Sequence, residues 1–243
     1  MISIKTLTKI YKSPVRTNNL LKDIFFRKYK EKKALENVSI DIKENELVGF
    51  IGPNGAGKTT TMKILSGILY PTSGSVEVLG FTPFEKKYPF LKQIAFVMGH
   101  KNQLLWELPA IDSFKLNKEI YEIENDDFRQ TLNELVELLE GKDLINQPVK
   151  TLSLGQRMRM ELIASLIHKP KILFLDEPTI GLDIFAQTTI INFIKEYQER
   201  YKSTIILTSH YMQDVRRLAK RLIMINEGKI VFDGQLKDLV NTY

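Results

Sequence analysis

Residues 52–59, in order Gly-Pro-Asn-Gly-Ala-Gly-Lys-Thr, constrain this chain more than any other feature. They match the pattern G-x-x-x-x-G-K-[ST] in full. Glycines let backbone N–H groups surround phosphate oxygens without Cβ clashes, and the start of a following helix adds the positive end of its dipole. The mostly apolar run 46–51 predicts a buried strand before the loop, and residues 59–69 predict a helix after it. This context favours a nucleotide-phosphate site over a chance glycine-rich turn.

Two side chains of the loop carry the chemistry that the pattern predicts. Lys58 supplies a mobile cation for the β- and γ-phosphates, and the Thr59 hydroxyl can ligate Mg²⁺. The residues predicted to hold the nucleotide are Gly52, Pro53, Asn54, Gly55, Ala56, Gly57, Lys58, Thr59 and Thr60. The loop alone does not distinguish between the ATPases, kinases and GTPases that share it.

An apolar run that ends in two carboxylates is the second chemical signal. Residues 172–175 predict a buried strand, and Asp176 and Glu177 follow it directly. Because the carboxyl ends of parallel strands meet where ligands bind, we expect both acids near the phosphate loop. Asp176 would then face the Mg²⁺ bound by Thr59, and Glu177 would polarise the water that attacks the γ-phosphate. The alternative is an ordinary strand end with solvated acids, which the complete phosphate loop disfavours.

Composition narrows the class of protein. The chain is 43% hydrophobic and 26% charged, as globular proteins are, and no apolar run approaches the roughly 18 residues of a membrane span. The N-terminus lacks the apolar stretch of a secretory signal, and the absence of cysteine excludes disulfides and thiolate metal sites. A reducing cytoplasm fits this composition. The net charge of +6 permits attraction to a nucleotide, nucleic acid or anionic lipid and selects none of them.

Hydrophobic periodicity predicts one α/β domain over residues 1–243. Alternation predicts half-buried strands at 2–7, 38–42 and 75–79, and apolar runs predict parallel strands at 171–175 and 204–208. Residues from about 85 to 168 form a predicted helical insert, clearest at 127–140, with Asn125 or Asp126 as the cap and Gly141 at the end. Segments 222–226 and 229–232 flank Glu227-Gly228, which predicts a hairpin.

A third motif, Leu-Ser-Leu-Gly-Gln-Arg at 152–157, precedes the acidic strand. With the phosphate loop and Leu-Asp-Glu-Pro-Thr at 175–179, it makes nearly the whole chain resemble the ATP-binding cassette (ABC) family. The family motif is usually Leu-Ser-Gly-Gly-Gln, so Leu154 replaces its first glycine. For residues 152–156 alone, a polar helix cap is the alternative. The resemblance implies a P-loop NTPase core of mixed sheet, with a helical subdomain and a small antiparallel β portion.

The resemblance also implies that two copies stack head to tail around ATP. Each ATP would lie between the phosphate loop of one copy and a turn of the other, formed by Ser153, Leu154, Gly155 and Gln156. The helix expected at about 156–168 would aim its N-terminus at the other copy's γ-phosphate, and Pro170 would end it.

Three further elements of the family are matched. Tyr11 resembles the aromatic residue that stacks on adenine, although a core or surface tyrosine is the alternative. His210 resembles the histidine that contacts the γ-phosphate and holds the water or Glu177, although a structural histidine is the alternative. Residues 181–183 resemble the loop that communicates across the dimer.

The glutamine that the family places after a strand such as 94–97 is the main departure. His100 stands at the expected position and Gln103 lies three residues later, and neither is assigned that role. Segment 99–108 and the basic stretch 12–33 resemble the efflux-type, viologen-exporter-like group of ABC systems.

The basic stretch, residues 12–33, leaves its role open. Residues 20–29 can form a short amphipathic helix. The simplest interpretation is a surface helix packed on its own sheet with solvated lysines. The alternatives are contact with a transmembrane partner or anionic headgroups, and contact with nucleic acid, for which no recognition motif accompanies the charge.

Together these features predict an ATP-hydrolysing subunit of an ABC transporter that uses ATP and Mg²⁺ to drive substrate export. It would lie at the cytoplasmic face of the membrane, with a second copy and a separate transmembrane subunit as partners and no nucleic acid. A soluble ABC ATPase of ribosomes or DNA would carry a second cassette or a long coiled coil, which this chain lacks. A silent regulatory module is disfavoured because Lys58, Asp176, Glu177 and His210 are all retained.

Overall fold

Two sheets and a set of surrounding helices make up the fold. The computed structural model describes residues 1–15, 28–99, 101–209 and 212–240. The strands in these ranges are β1 (Ile2–Val15), β2 (Lys28–Ile42), β3 (Leu47–Ile51), β4 (Ser73–Val78), β5 (Ile94–Met98), β6 (Ile172–Asp176), β7 (Thr204–Thr208), β8 (Arg221–Asn226) and β9 (Lys229–Gln235). The α-helices are α1 (Lys58–Leu65), α2 (Tyr88–Leu91), α3 (Ala110–Ile120), α4 (Asn125–Leu138), α5 (Leu154–Leu166), α6 (Ile184–Tyr201), α7 (Met212–Leu218) and α8 (Leu236–Val240).

The larger sheet has the strand order β5-β6-β7-β3-β8-β9. Strands β5 to β8 in this order are parallel, and β9 is antiparallel to β8. Successive side chains of a strand point to opposite faces, so Leu173 and Leu175 enter one core while Ile172 and Phe174 enter the other. Helices α3 to α6 cover the first face, and α1 with the smaller sheet covers the second. The α/β class with a mixed sheet is therefore confirmed.

The smaller sheet is antiparallel, with the order β2-β1-β4. Strands β1 and β2 remain paired as far as Val15 and Lys28. The described ends of the basic stretch therefore continue these two strands as a ribbon. The helix predicted at 20–29 is wrong for Lys28 and Tyr29, which belong to β2. Its other residues, 20–27, lie outside the described ranges.

The helix after the phosphate loop is shorter than predicted. It ends at Leu65, and Gly67 then adopts a φ of 76°, a left-handed conformation that glycine tolerates. A Cβ on Gly67 would also lie 2.3 Å from the carbonyl oxygen of Pro83. Strand β4 begins at Ser73, two residues before the predicted start of that strand at residue 75.

Two other helix boundaries differ from those predicted. Helix α4 begins at Asn125 itself, so the cap is Glu124, without a side-chain hydrogen bond. The helix ends at Leu138, and the left-handed residue that follows it is Glu140, with a φ of 49°. This is one residue before Gly141, where the end was predicted. Helix α5 begins two residues before the predicted start and ends at Leu166, four residues before Pro170.

The predicted insert at about 85–168 contains α2 to α5 and also β5, which lies at an edge of the larger sheet. The predicted hairpin is confirmed, since β8 and β9 pair around Glu227-Gly228. Among the residues that the structure describes, no helix combines the length and apolar character needed to cross a membrane.

Candidate functional site

The phosphate loop joins the end of β3 to the start of α1 and is held closely by its neighbours. A Cβ on Gly52 would lie 2.1 Å from the carbonyl oxygen of Ile225. A Cβ on Gly57, whose φ is 119°, would lie 2.8 Å from the carbonyl oxygen of Ala34. Larger residues at these two positions would displace backbone, so the local packing requires glycine. The first turn of α1 thus starts where the loop ends, as an anion site at a helix N-terminus needs.

Lys58 reaches back across this loop. Its Nζ donates hydrogen bonds to the carbonyl oxygens of Gly52 at 2.6 Å and Pro53 at 3.1 Å. The residue is 5% exposed. Burial lowers the pKa of Lys58, and the charges of Glu177 and Asp176 oppose that shift. The loop therefore positions an ammonium group that nearby carboxylates help to keep protonated.

Asp176 lies at the end of β6 and is almost fully buried. The Thr59 hydroxyl donates to its Oδ2 at 2.8 Å, with Oδ1 at 3.1 Å, and the Thr208 hydroxyl donates to Oδ1 at 2.7 Å. A carboxylate beside a hydroxyl is an oxygen donor set that suits Mg²⁺, which often takes its other ligands from water and substrate phosphates. No cluster of three metal-ligating acids or histidines occurs in the described ranges. The Thr59 hydroxyl and the Asp176 carboxylate fit a Mg²⁺ ion that takes its remaining ligands from a nucleotide and water.

Glu177 follows in a left-handed conformation, with a φ of 56°. Its backbone N–H donates to the Thr208 hydroxyl at 3.0 Å, and the Gly99 N–H donates to the carbonyl oxygen of Asp176 at 2.9 Å. A Cβ on Gly99 would lie 2.1 Å from the carbonyl oxygen of Glu177. Neighbouring strand ends therefore fix the turn that directs Glu177 towards the phosphate loop.

Lys58, Thr59 and Glu177 line a cleft of about 200 Å³. Its lining consists of Tyr11, Lys32, Ala34, Asn54, Gly55, Gly57, Lys58, Thr59, Thr60 and Glu177. The hydroxyl of Tyr11 lies 3.5 Å from Oγ1 of Thr60, and Tyr11 is 38% exposed. A ring of this kind beside a phosphate site can stack on a nucleobase. The structure thus brings together Tyr11, the loop and Glu177, which are distant in sequence.

Residues 153–156 lie elsewhere, since none of the described residues that line this cleft belongs to them. Ser153 caps α5: its Oγ accepts from the Gln156 N–H at 3.3 Å, and Gln156 Oε1 accepts from the Ser153 N–H at 2.9 Å. The polar-cap interpretation is therefore confirmed. Leu154 packs near the turn at Gly181. A Cβ built on Gly181 would lie 3.2 Å from Cδ2 of Leu154. Phosphate contact by this turn stays a prediction.

Of the remaining predicted residues, the structure describes Asp183 and Gln103 but not the two histidines. Asp183 caps α6 by accepting a hydrogen bond from the Ala186 N–H at 2.9 Å. The Gln103 side chain donates to the carbonyl oxygen of Phe96 at 2.9 Å and is not among the residues that line the cleft. His100 and His210 lie outside the described residues.

Sequence reasoning missed Lys32, Thr208 and Gly99 as members of the site. Thr208 ends an apolar strand parallel to β6. The pairing of these two strands would have predicted that Thr208 lies beside Asp176. Lys32 required the pairing of β1 with β2, which places it opposite Tyr11. Gly99 carried no signal beyond its place after a predicted strand.

Comparison with known proteins gives a consistent result. Residues 35–180 match the family model described as ABC transporter. The ABC transporter ATP-binding protein NatA of Bacillus subtilis is 31% identical over 215 residues, covering 88% of this chain and 87% of the relative. The methionine import ATP-binding protein MetN of the same organism is 32% identical over 245 residues, covering 98% and 67%. A dimeric post-hydrolysis structure of the cassette MJ0796, bound to ADP and Pi, has a TM-score of 0.80 at 25% identity, covering 97% of this chain and 99% of that one.

Proposed function

The chain belongs to the ABC transporter family, and from that premise we propose that it powers a separate transmembrane subunit by hydrolysing ATP between two of its own copies. It is an ATP-binding ATPase subunit. The observation that carries the proposed residue roles is the convergence of Lys58 and Thr59, at the start of α1, with Asp176 and Glu177, at the end of β6. The whole chain, residues 1–243, is proposed to act as one ATPase domain.

The proposed chemistry is an in-line displacement at the γ-phosphorus. Lys58 and the loop amides hold the β- and γ-phosphate oxygens, and Tyr11 stacks on the adenine. Thr59 and Asp176 would hold Mg²⁺, which when bound neutralises phosphate charge. Glu177 orients a water and accepts its proton as the water oxygen bonds to phosphorus and the bond to the β–γ bridging oxygen breaks. His210, by resemblance, contacts the γ-phosphate.

A second copy is proposed to complete each site through residues 153–156. Two features of this chain support that arrangement. The turn begins a helix of 13 residues, whose N-terminus favours anions, and the turn is not part of its own cleft. A head-to-tail pair would bring it to the cleft of the other copy. Because the chain holds one phosphate loop, one pair of carboxylates and one Ser153–Gln156 turn, we propose a homodimer with two equivalent sites.

A groove along strand β5 is proposed to receive an apolar segment of the transmembrane subunit. The groove has a volume of about 500 Å³ and is lined by residues that include Ile68, Tyr88, Phe96, Met98 and Ile120. Ile68 and Ile120 are about half exposed, which leaves apolar surface for a partner to cover. Gln103 also lines the groove, so the segment after β5 contacts both the groove and the catalytic strand ends.

Replacing Ile120 with Glu is expected to reduce recovery of the transmembrane subunit roughly tenfold or more, because the partner would have to bury a charge. The measurement is affinity purification of the tagged chain from membranes, followed by quantification of the membrane proteins that accompany it. Val231→Glu is the matched control, since Val231 is 59% exposed and lies on β9. ATP binding should be unchanged in both variants. Equal recovery from the two would refute the groove as the docking site.

Lys32 is proposed to add positive charge at the nucleobase end of the cleft. It pairs directly with Tyr11 across β1 and β2, so both side chains lie on one face of the ribbon. Within the described ranges Lys12 pairs with Glu31 and Lys33 with Glu36, but no acidic side chain pairs with Lys32. Its charge is therefore available to an anionic ligand.

Replacing Lys32 with Ala should raise the Kd for ATP about 3- to 10-fold at low salt, and by less at high salt, because an exposed charge is screened. Isothermal titration of the purified chain at two salt concentrations measures this. Lys30→Ala removes the same charge further out along the ribbon, opposite Ser13, and should leave the Kd unchanged. If the two variants behave alike, Lys32 does not contact the nucleotide.

We also propose export as the direction and the viologen-exporter-like group as the subfamily, from the resemblance of segments 99–108 and 12–33. The chain would then act at the cytoplasmic face of the membrane. Comparison of solute efflux from cells with the native chain and cells with a Glu177→Gln chain tests the direction. Accumulation that falls, rather than rises, in the variant would indicate import.

A further inference from the structure

Glu161 is a carboxylate in the apolar interior, on helix α5. It is 2% exposed, and its neighbours along the helix, Met160, Leu162 and Ile163, are fully buried. The Glu161 Oε1 accepts a hydrogen bond from the Gln103 N–H at 2.8 Å. Its Oε2 is buried without a hydrogen-bond partner in the described part of the chain.

Stability alone does not account for this residue. Burial raises the pKa of Glu161 to about 7, although the N–H groups of Gln103 and Leu104 and the charge of Arg157 favour the ionised form. A buried carboxylate with an unsatisfied oxygen destabilises a fold, and an apolar residue would pack in the same place at lower cost. What Glu161 provides instead is a specific acceptor for the backbone of the segment after β5.

That segment also contacts the catalytic strand ends. The Gly99 N–H donates to the carbonyl oxygen of Asp176 at 2.9 Å, and Gly99 packs against the carbonyl of Glu177. Four residues later, the Gln103 side chain donates to the carbonyl oxygen of Phe96 and its backbone N–H donates to Glu161. One short segment therefore joins the turn that carries Glu177 to the middle of helix α5.

The same segment continues to the residues just before α5. The Val149 N–H donates to the carbonyl oxygen of Leu108 and the Lys150 N–H to that of Trp106, both at 3.0 Å. The Arg157 guanidinium lies 5.6 Å from the centroid of the Trp106 ring. These contacts hold the far end of the segment, whereas the Glu161 hydrogen bond holds the end nearest the catalytic carboxylates.

We infer that Glu161 is a positioning residue that fixes the Ser153–Gln156 turn relative to the turn that carries Glu177. Glu161 and Ser153 lie on one helix, eight residues or about 12 Å apart, so a displacement at Glu161 moves the turn as a rigid body. This rests on the proposed function, in which Ser153 to Gln156 contacts a γ-phosphate of the second copy. The hydrogen bond from Gln103 therefore links what one copy contributes to its own ATP site, Glu177, with what it contributes to the ATP site of the other copy, the Ser153–Gln156 turn.

Two substitutions separate the acceptor position from its charge. Glu161→Gln keeps a carbonyl oxygen where Oε1 lies but removes the charge. Glu161→Asp keeps the charge but withdraws the acceptor by about 1.5 Å, one carbon–carbon bond. Glu137→Gln and Glu137→Asp are the controls, because Glu137 is exposed on α4. For all four variants kcat for ATP hydrolysis, equilibrium ATP binding to single chains and the thermal midpoint are measured.

The Glu161→Asp variant should lose on the order of 10- to 100-fold in kcat, because small misplacements of a composite site are costly. Its ATP affinity should match the native chain, although its thermal midpoint should fall because the Gln103 N–H loses its buried acceptor. The Glu161→Gln variant should retain kcat within about twofold of native. The inference is overturned if the Asp variant keeps native kcat, if both variants lose it equally, or if the loss accompanies weaker ATP binding. Failure of the proposed function is recognised separately, by a Glu177→Gln chain that forms no dimer with ATP.

Discussion

Replacing Glu177 with Gln should lower kcat for ATP hydrolysis by about 10²- to 10⁴-fold, the usual contribution of a general base. Glutamine has nearly the same shape and keeps the backbone hydrogen bond to Thr208, so the turn should not change. It cannot accept the proton of the attacking water. ATP binding should persist, since Lys58 and the loop amides are intact.

The same variant tests the proposed dimer. If two copies hold ATP between them and hydrolysis separates them, the Glu177→Gln chain should elute as a dimer with MgATP and as a monomer without it. Size-exclusion chromatography with light scattering measures this, together with steady-state phosphate release. Glu199→Gln, on the exposed side of α6, is the control and should hydrolyse ATP normally. Normal turnover by the Glu177→Gln chain would remove Glu177 from its role, and a monomer with MgATP would argue against the composite site.

Replacing Asp176 with Asn should abolish the gain in ATP affinity and in kcat that Mg²⁺ provides. The carboxylate charge is worth several kcal/mol at a metal-assisted phosphate site, which corresponds to a loss of about 10³-fold or more in kcat. Asparagine can still accept hydrogen bonds from the hydroxyls of Thr59 and Thr208 through its side-chain oxygen. The chain should therefore fold, which circular dichroism and the thermal midpoint will show.

The decisive measurement for this variant is the ATP Kd with Mg²⁺ and with EDTA. The native chain should bind ATP more tightly with Mg²⁺, whereas the Asp176→Asn chain should bind equally in both conditions. Asp143→Asn, at an exposed position, is the control and should behave as native. An Asp176→Asn chain that still depends on Mg²⁺ would assign the metal to other ligands.

The sequence predicted the centre of this site well because its signals are local. A loop in which packing requires glycine at positions 52 and 57, and a strand whose every residue before the carboxylates is apolar, leave few alternative structures. The parallel arrangement then places Asp176 beside Thr59 and Thr208 without further information. The order of the motifs also predicts an ATP site formed between two copies. The fold of a single copy does not test that prediction, so the composite site stays a proposal.

Features that depend on contacts between distant segments were predicted less well. The basic stretch has no strand alternation, yet its described ends extend β1 and β2 because each supplies hydrogen-bond partners to the other. Asn125 is a good capping residue, but α4 starts at Asn125 itself and its cap is Glu124, because a helix boundary is not fixed by the capping preference of one residue. Glu161 resembles an ordinary charged helix residue until the fold brings Gln103 to it.

Strand β6, which lies between two cores, also limits how this protein can change. Each residue from Ile172 to Leu175 faces apolar packing whichever way it points. Random mutagenesis would therefore find almost no polar substitution tolerated there, while Asp176 is held at the end of the least replaceable part of the chain. An altered specificity or coupling would have to arise in the helical layer or in the ribbon, leaving the strand that presents the carboxylates untouched.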